Sequence, residues 1–308
     1  MQSIIIDRRA RRFSWVIAIV LSFCCYQIAS GDLLQTFRSE YPAAAAKLEE
    51  AYSHVRLLAK GTGTDSSGKW IMNSDIEILR ENNLVRWTLT TTKSALPAVP
   101  AGSISVMGGD QKLFFEMFKT PTDTAWKFYW HGPMPDFDST VRRDFLALYA
   151  PFCIQGKTVT EYLNQHGLRI VSATMAKLDG HDVVEVTTEQ TMPPLRTPYG
   201  TMEDCGVFRT RLYFIPGSWA LAGWTRFSGD KMPKNEQTVW QQRADYQPNT
   251  DPPKLSHIKA WEEFNSDVWK DNPKLLAFKF SERAETVISL KFGPVPVSEF
   301  TPAAAGAN

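Results

Sequence analysis

The spacing of apolar positions changes period several times along the chain. From Leu33 to Lys60 it predicts a helix. Leu48, Ala51, Tyr52 and Val55 recur at helical intervals, Pro42 suits a first helical position, and Ala43–Ala46 are strong helix formers. The period then drops to two. Trp70, Met72, Ile76 and Ile78, the turn formers Asn82 and Asn83, and the run from Leu84 to Thr90 predict a β-hairpin over 69–92. The alternation slips by one residue at Asn73–Ser74, which marks a bulge. Ser103–Met107 and Lys112–Phe118, joined through Gly108–Asp110, form a second predicted hairpin, and Ala125 to Trp130 a further aromatic strand.

A helical insert follows. Asp138 or Ser139 can cap a helix from Val141 to Tyr149, which Pro151 stops, and Thr158 or Thr160 can start a shorter one that ends at Gly167. Strands then return. One predicted hairpin folds Leu168–Met175 on Asp182–Thr188 about Asp179-Gly180, and another folds Val207–Phe214 on Ala220–Phe227. Thr238–Tyr246 reads as one more strand, Ile258–Trp269 as a short helix and connection, and Ile288–Phe292 as a final short strand. The tail Thr301–Asn308 is rich in Ala, Gly and Pro and is expected to be disordered. No repeat or shift in composition divides the chain, so one domain is expected over 32–300.

The N-terminus has the three parts of an export signal. Arg8, Arg9, Arg11 and Arg12 form a basic start, the stretch from Phe13 to Ala29 carries no charge, and Ala29, Ser30 and Gly31 are the small residues of a cleavage site. Cleavage after Gly31 or after Ser30 fits. The apolar run lies at the lower limit for a membrane span, which leaves a retained anchor open, and Leu21–Cys24 resembles a lipid-attachment site with the bulky Phe23 in a position that is normally small. The signal places the protein outside the cytoplasm, in the periplasm or cell envelope, with membrane association if the segment is retained.

Export changes the reading of composition. The whole chain carries 34 Lys and Arg against 33 Asp and Glu. Residues 1–31 hold four of those arginines and one of those aspartates, Asp7, so 30 basic and 32 acidic residues remain. A near-neutral chain without a basic run does not point to nucleic acid. Of 4 cysteines, Cys24 and Cys25 leave with the signal, and Cys153 and Cys205 remain as a candidate disulfide in a compartment that permits one. Two separate buried thiols are the other reading.

Chemistry-bearing motifs are few. Gly63–Lys69 matches the start of a phosphate-binding loop, but Trp70 replaces the hydroxyl that would hold magnesium, and a hairpin rather than a helix follows. His54, His131, His166, His181 and His257 show no metal-ligand spacing, so no metal or cofactor is called. There is no GxSxG elbow, and no catalytic residue is nominated. His131, Asp136 and Asp138 form the nearest polar cluster, and acidic residues before a helix are more often caps.

The aromatic strands remain. Phe114, Glu116 and Phe118 alternate along one strand and Trp126, Phe128 and Trp130 along another, with Phe115 and Met117 on the reverse face of the first. Strands apolar on both faces need two covers, and the second is either protein core or a bound apolar ligand.

Several stretches carry a family resemblance. They are Tyr52–Val55 before Lys60–Gly63, Leu178–Gly180 followed by Val183–Val186, and the hairpin from Arg211–Phe214 through Trp224. In this order of elements the chain resembles the periplasmic lipoprotein-carrier superfamily, which includes the outer-membrane lipoprotein-sorting chaperone and its half-barrel relatives. Pro294–Phe300 is similar to the endings of secreted proteins from planctomycete-type bacteria. The resemblance implies an α+β fold, a strongly curved, half-barrel-like antiparallel sheet wrapped around helices. It also implies non-covalent binding of a lipid, an acyl chain or a lipoprotein in an apolar cavity. Phe114, Phe118, Trp126, Phe128 and Trp130 are the residues expected to line that cavity. An envelope hydrolase using the His131–Asp138 segment, or a structural, protein-binding envelope domain, are the alternatives.

Overall fold

The chain starts in the middle of its own sheet, runs out to one edge, crosses to the other and returns. The structure is a computed structural model that describes residues 32–65, 69–154, 156–191, 195–197, 200–202, 207–229, 237–262 and 282–306. Residues 1–31, predicted above to be an export signal, therefore lie outside the described residues. No described helix is long and apolar enough to cross a membrane.

Helix α1 covers 32–51. Six strands follow, β1 (His54–Thr64), β2 (Trp70–Glu81), β3 (Leu84–Ser94), β4 (Ile104–Gly109), β5 (Phe114–Lys119) and β6 (Lys127–Gly132). The insert holds α2 (Phe137–Asp144), α3 (Leu146–Tyr149), the short pair β7 (Cys153–Ile154) and β8 (Lys157–Thr158), and α4 (Val159–Leu163). The return leg is β9 (Leu168–Leu178), β10 (His181–Thr191), a small pair β11 (Leu195–Thr197) and β12 (Gly200–Met202), then β13 (Val207–Phe214), β14 (Leu221–Gly229), β15 (Gln237–Tyr246), β16 (Leu255–Glu262) and β17 (Glu282–Phe292). Thirteen strands form one sheet in the order β6-β5-β4-β3-β2-β1-β17-β16-β15-β14-β13-β10-β9. Every neighbouring pair in it is antiparallel.

Two predicted elements change. The helix expected to reach Lys60 stops at 51, and from Val55 the buried positions alternate through Leu57 and Ala59. Those residues pair with β2 on one side and β17 on the other, so a double ladder of backbone hydrogen bonds overrides the helical spacing. The segment from Ile258, expected to be helical, is part of strand β16 as far as Glu262, and the rest of that prediction lies outside the described residues. Residues 295–306 lie against the sheet. Val295 and Phe300 pack with Leu79, Ala305 lies against the cluster of Phe115, Met117 and Trp126, and the Trp126 indole N–H donates to the Gly306 carbonyl at 2.9 Å. Arg56 grips both oxygens of Glu299 at 2.5 Å and Arg86 donates to its carbonyl at 2.7 Å, pinning this end to β1 and β3.

The helices share one face of the sheet. Two aromatic-rich clusters fill the space between them and the strands. One joins Leu48 and Tyr52 of α1 and Phe137, Phe145 and Leu148 of the insert to Leu57, Ile78, Trp87 and Phe114. The other joins Phe37 and Tyr41 of α1 and Tyr162 of α4 to Val184, Leu212, Phe214 and Trp224. Helix α1 thus spans both halves. The short α4 is fixed by a reciprocal cap, in which the Thr158 hydroxyl accepts from the Glu161 amide at 3.1 Å and Glu161 accepts from the Thr158 amide at 2.7 Å.

Candidate functional site: an aromatic edge and a buried polar patch

Strand register decides where each predicted ligand-lining aromatic lies. Phe114 is 1% exposed and packs edge-to-face on Phe137 at 5.8 Å, so its place is in the core beneath α2. Phe118 shares its helix-bearing face but is only half-buried, with Tyr129 at 6.3 Å. Trp126 joins Phe115 and Met117 on the opposite face, under the C-terminal turn. Phe128 and Trp130 lie on the edge strand β6, 50% and 44% exposed. A bulge between Glu116 and Met117 pairs Trp130 with Glu116 but Phe128 with Met117. Cross-strand partners share a face, so the extra residue sends Phe128 and Trp130 to opposite sides of the sheet. Simple alternation along 126–130 could not show this, and the five aromatics divide among core, reverse face and edge.

What the bulge creates is an aromatic edge. Phe128, Tyr129 and Trp130 are consecutive and all exposed, Tyr129 by 63%, and Leu113 in the turn before β5 is 53% exposed. An edge strand leaves backbone groups unpaired, and such strands are normally blunted with charge. Here the two ends carry Lys127 and His131, and the centre is aromatic. Lys127 is held by Asp123 at 2.7 Å, and that contact together with Thr120 pulls the Asp123 carboxyl far below its usual range.

The second feature lies on the helix-bearing face, near the middle of the sheet. Glu285 of β17 is fully buried, and Arg283 stands in ion-pair contact with it while donating to the Asp144 carbonyl at the end of α2. Glu116 of β5 approaches Asp144 from the other side. Burial, and then the Asp144 charge, raises its carboxyl pKa. The cation Arg80 is buried near Tyr149 of the same insert. It donates to the carbonyls of Asn82 at 3.1 Å and Tyr52 at 3.4 Å and lies 5.0 Å from the Tyr149 ring. None of these charged groups was singled out from the sequence, since only non-local pairing brings them onto one face.

The remaining sequence candidates do not assemble. The His131 ring packs against Phe128 at 6.0 Å, and Asp136 precedes α2 without a side-chain capping bond. No group of three metal-ligating side chains occurs among the described residues. Cys153 is buried and forms no disulfide among the described residues, and burial pushes its thiol pKa far up. Its candidate partner Cys205 lies outside the described residues. A cavity of about 330 Å³ between α1 and α4 is lined by Tyr41, Glu49, Arg142 and Glu161 among others, and is mixed in polarity rather than apolar. Arg142 is tied to Glu161 there at 2.6 Å.

No family model and no curated protein matches the chain. Among solved structures it is similar to a domain assigned as an outer membrane lipoprotein-sorting protein from Vibrio parahaemolyticus, at 8% identity over 85% of this chain and 96% of that one, with a TM-score of 0.43. A DUF1329 family protein from Desulfovibrio piger is similar at 9% identity, covering 85% and 96%, with a TM-score of 0.42. A LolA superfamily protein from Nitrosomonas europaea is similar at 11% identity, covering 85% and 98%, also at 0.42. Two of the three, the Vibrio and Nitrosomonas proteins, carry names from the family that the sequence resembles.

Proposed function

We propose that the protein is an exported cell-envelope protein that binds a lipid, an acyl chain or a lipoprotein non-covalently, and that Phe118, Phe128 and Trp130 take part in the grip. The observation that carries the reading is the exposed run Phe128–Trp130 on an edge strand. Burying those rings in the fold would stabilise it, so their exposure points to an external apolar partner. Aromatic side chains with a polar atom, such as Tyr129 and Trp130, suit a boundary between water and lipid. Each methylene taken from water contributes about 0.8 kcal/mol, so ten of them offset a binding cost of several kcal/mol without any covalent chemistry.

The test is transfer of a pyrene-labelled phospholipid from vesicles to soluble protein. The wild-type protein is expected to carry label away from the vesicles. The double substitution Phe128→Ser with Trp130→Ser is expected to cut that uptake at least tenfold while leaving the circular dichroism unchanged. No uptake by the wild-type protein overturns the reading.

A further inference from the structure

The Glu285 carboxylate is 0% exposed, and neither of its oxygens has a hydrogen bond of acceptable geometry among the described residues, although Arg283 touches one of them. A carboxylate can accept about four hydrogen bonds. One guanidinium already committed to the Asp144 carbonyl leaves most of that capacity unused. Two donors farther along the same face are in the same condition. The Gln242 amide nitrogen and the Trp224 indole nitrogen, on residues each 3% exposed, have no acceptor among the described residues. Leaving a buried polar group unmatched is costly, and such groups are rare in native folds unless water, an ion or a ligand completes them.

Register places these groups together. Trp224 pairs with Gln242, Gln242 with Ala260, and Ala260 with Arg283, in one row across β14, β15, β16 and β17. Glu285 stands two residues along β17 from Arg283, and so on the same helix-bearing face, where its partner across β1 is Gly61. Small residues thus sit between the polar ones. At Gly61 a Cβ would come within 2.7 Å of the Ser74 hydroxyl and 2.8 Å of Ile76, so the position is closed to larger side chains. The row thus carries an acceptor at one end and donors along it, with the small residues Ala260 and Gly61 beside them.

We infer that this patch is a polar subsite that receives the head of the amphipathic ligand. The inference rests on the reading that the protein binds such a ligand. The head is of a defined class, a phosphate- or carbonyl-type acceptor beside an ammonium or hydroxyl donor. The donor pairs with Glu285, and the acceptor with Gln242, Trp224 and Arg283. A phosphoethanolamine head has both parts. A phosphocholine head has the acceptor but no N–H donor.

The experiment titrates the whole protein with dihexanoyl phosphatidylethanolamine and with dihexanoyl phosphatidylcholine by calorimetry, alongside a neutral alkanol as an apolar probe. The wild-type protein is expected to prefer the ethanolamine lipid at least tenfold. Glu285→Gln is expected to abolish that preference, and Gln242→Leu to weaken both lipids several-fold without changing alkanol binding. If Glu285→Gln fails to fold, Gln242→Leu decides the question by itself. Alkanol binding with equal affinity for the two lipids, or with no effect of Gln242→Leu on either, overturns the subsite while leaving the carrier reading intact, and means that water alone fills the patch. Failure of all three ligands to bind overturns the carrier reading itself.

Discussion

Phe114 and Phe128 carry the same side chain on adjacent strands, one 1% and the other 50% exposed, so truncating each separates packing from surface function. A phenylalanine buries about 150–250 Å², which at about 25 cal/mol per Å² is worth roughly 4–6 kcal/mol when complete. Phe114→Ala also removes the edge-to-face contact with Phe137 at 5.8 Å and leaves a cavity beneath α2. The expected cost is about 3–5 kcal/mol. For Phe128→Ala, half the area and no core contact set a ceiling of about 3 kcal/mol. Equilibrium urea unfolding at 25 °C, followed by tryptophan fluorescence and by circular dichroism, measures both. The reasoning is refuted if Phe114→Ala stays within about 1 kcal/mol of the wild type, or if Phe128→Ala costs as much as Phe114→Ala.

Three further outcomes follow from the structure. Thr158→Ala removes the reciprocal cap of α4 and is expected to destabilise by about 1 kcal/mol, with lost hydrogen-exchange protection at the Glu161 amide. Glu299→Gln weakens the grip of Arg56 on the C-terminal turn and is expected to speed proteolysis after Phe300 without lowering the global midpoint much. Burial pushes the Tyr149 hydroxyl up to about 12 and those of Tyr41 and Tyr52 higher still. The folded state then holds protons that the unfolded chain releases near pH 10, so their contribution to stability is complete below about pH 10 and falls as pH rises towards 12. Urea midpoints at pH 9, 10 and 11 should decline in that order, and a flat profile contradicts the assignment of these tyrosines to the core.

Local signals were legible in the sequence, and non-local ones were not. The hairpin of β2 and β3 lies where the alternation placed it, with its bulge at Asn73–Ser74 and the left-handed Asn82 in its turn. The β9–β10 turn uses Asp179 and Gly180, both at positive φ as a tight hairpin requires. Strand β1 was hidden because Tyr52 and Val55 extend the helical spacing of Leu48 and Ala51 past the true end of the helix. β17 reads as a short strand of unstated position, yet it lies near the centre of the sheet, where its neighbours β1 and β16 are one distant and one misread as helix. The aromatic character of the candidate edge was visible from composition. Its division between two faces depends on the β6 bulge, and the patch around Glu285 depends on four strands from the C-terminal half meeting β1. Neither has a signature at short sequence separation.

The most direct test of the carrier reading is native mass spectrometry of the mature protein purified, without detergent, from the organism that makes it. The account predicts a second population heavier than the bare chain by the mass of one lipid or acylated species, released on mild activation and diminished by Phe128→Ser with Trp130→Ser. A single population at the mass of the bare chain, still lacking adducts after incubation with phospholipid vesicles, would contradict it.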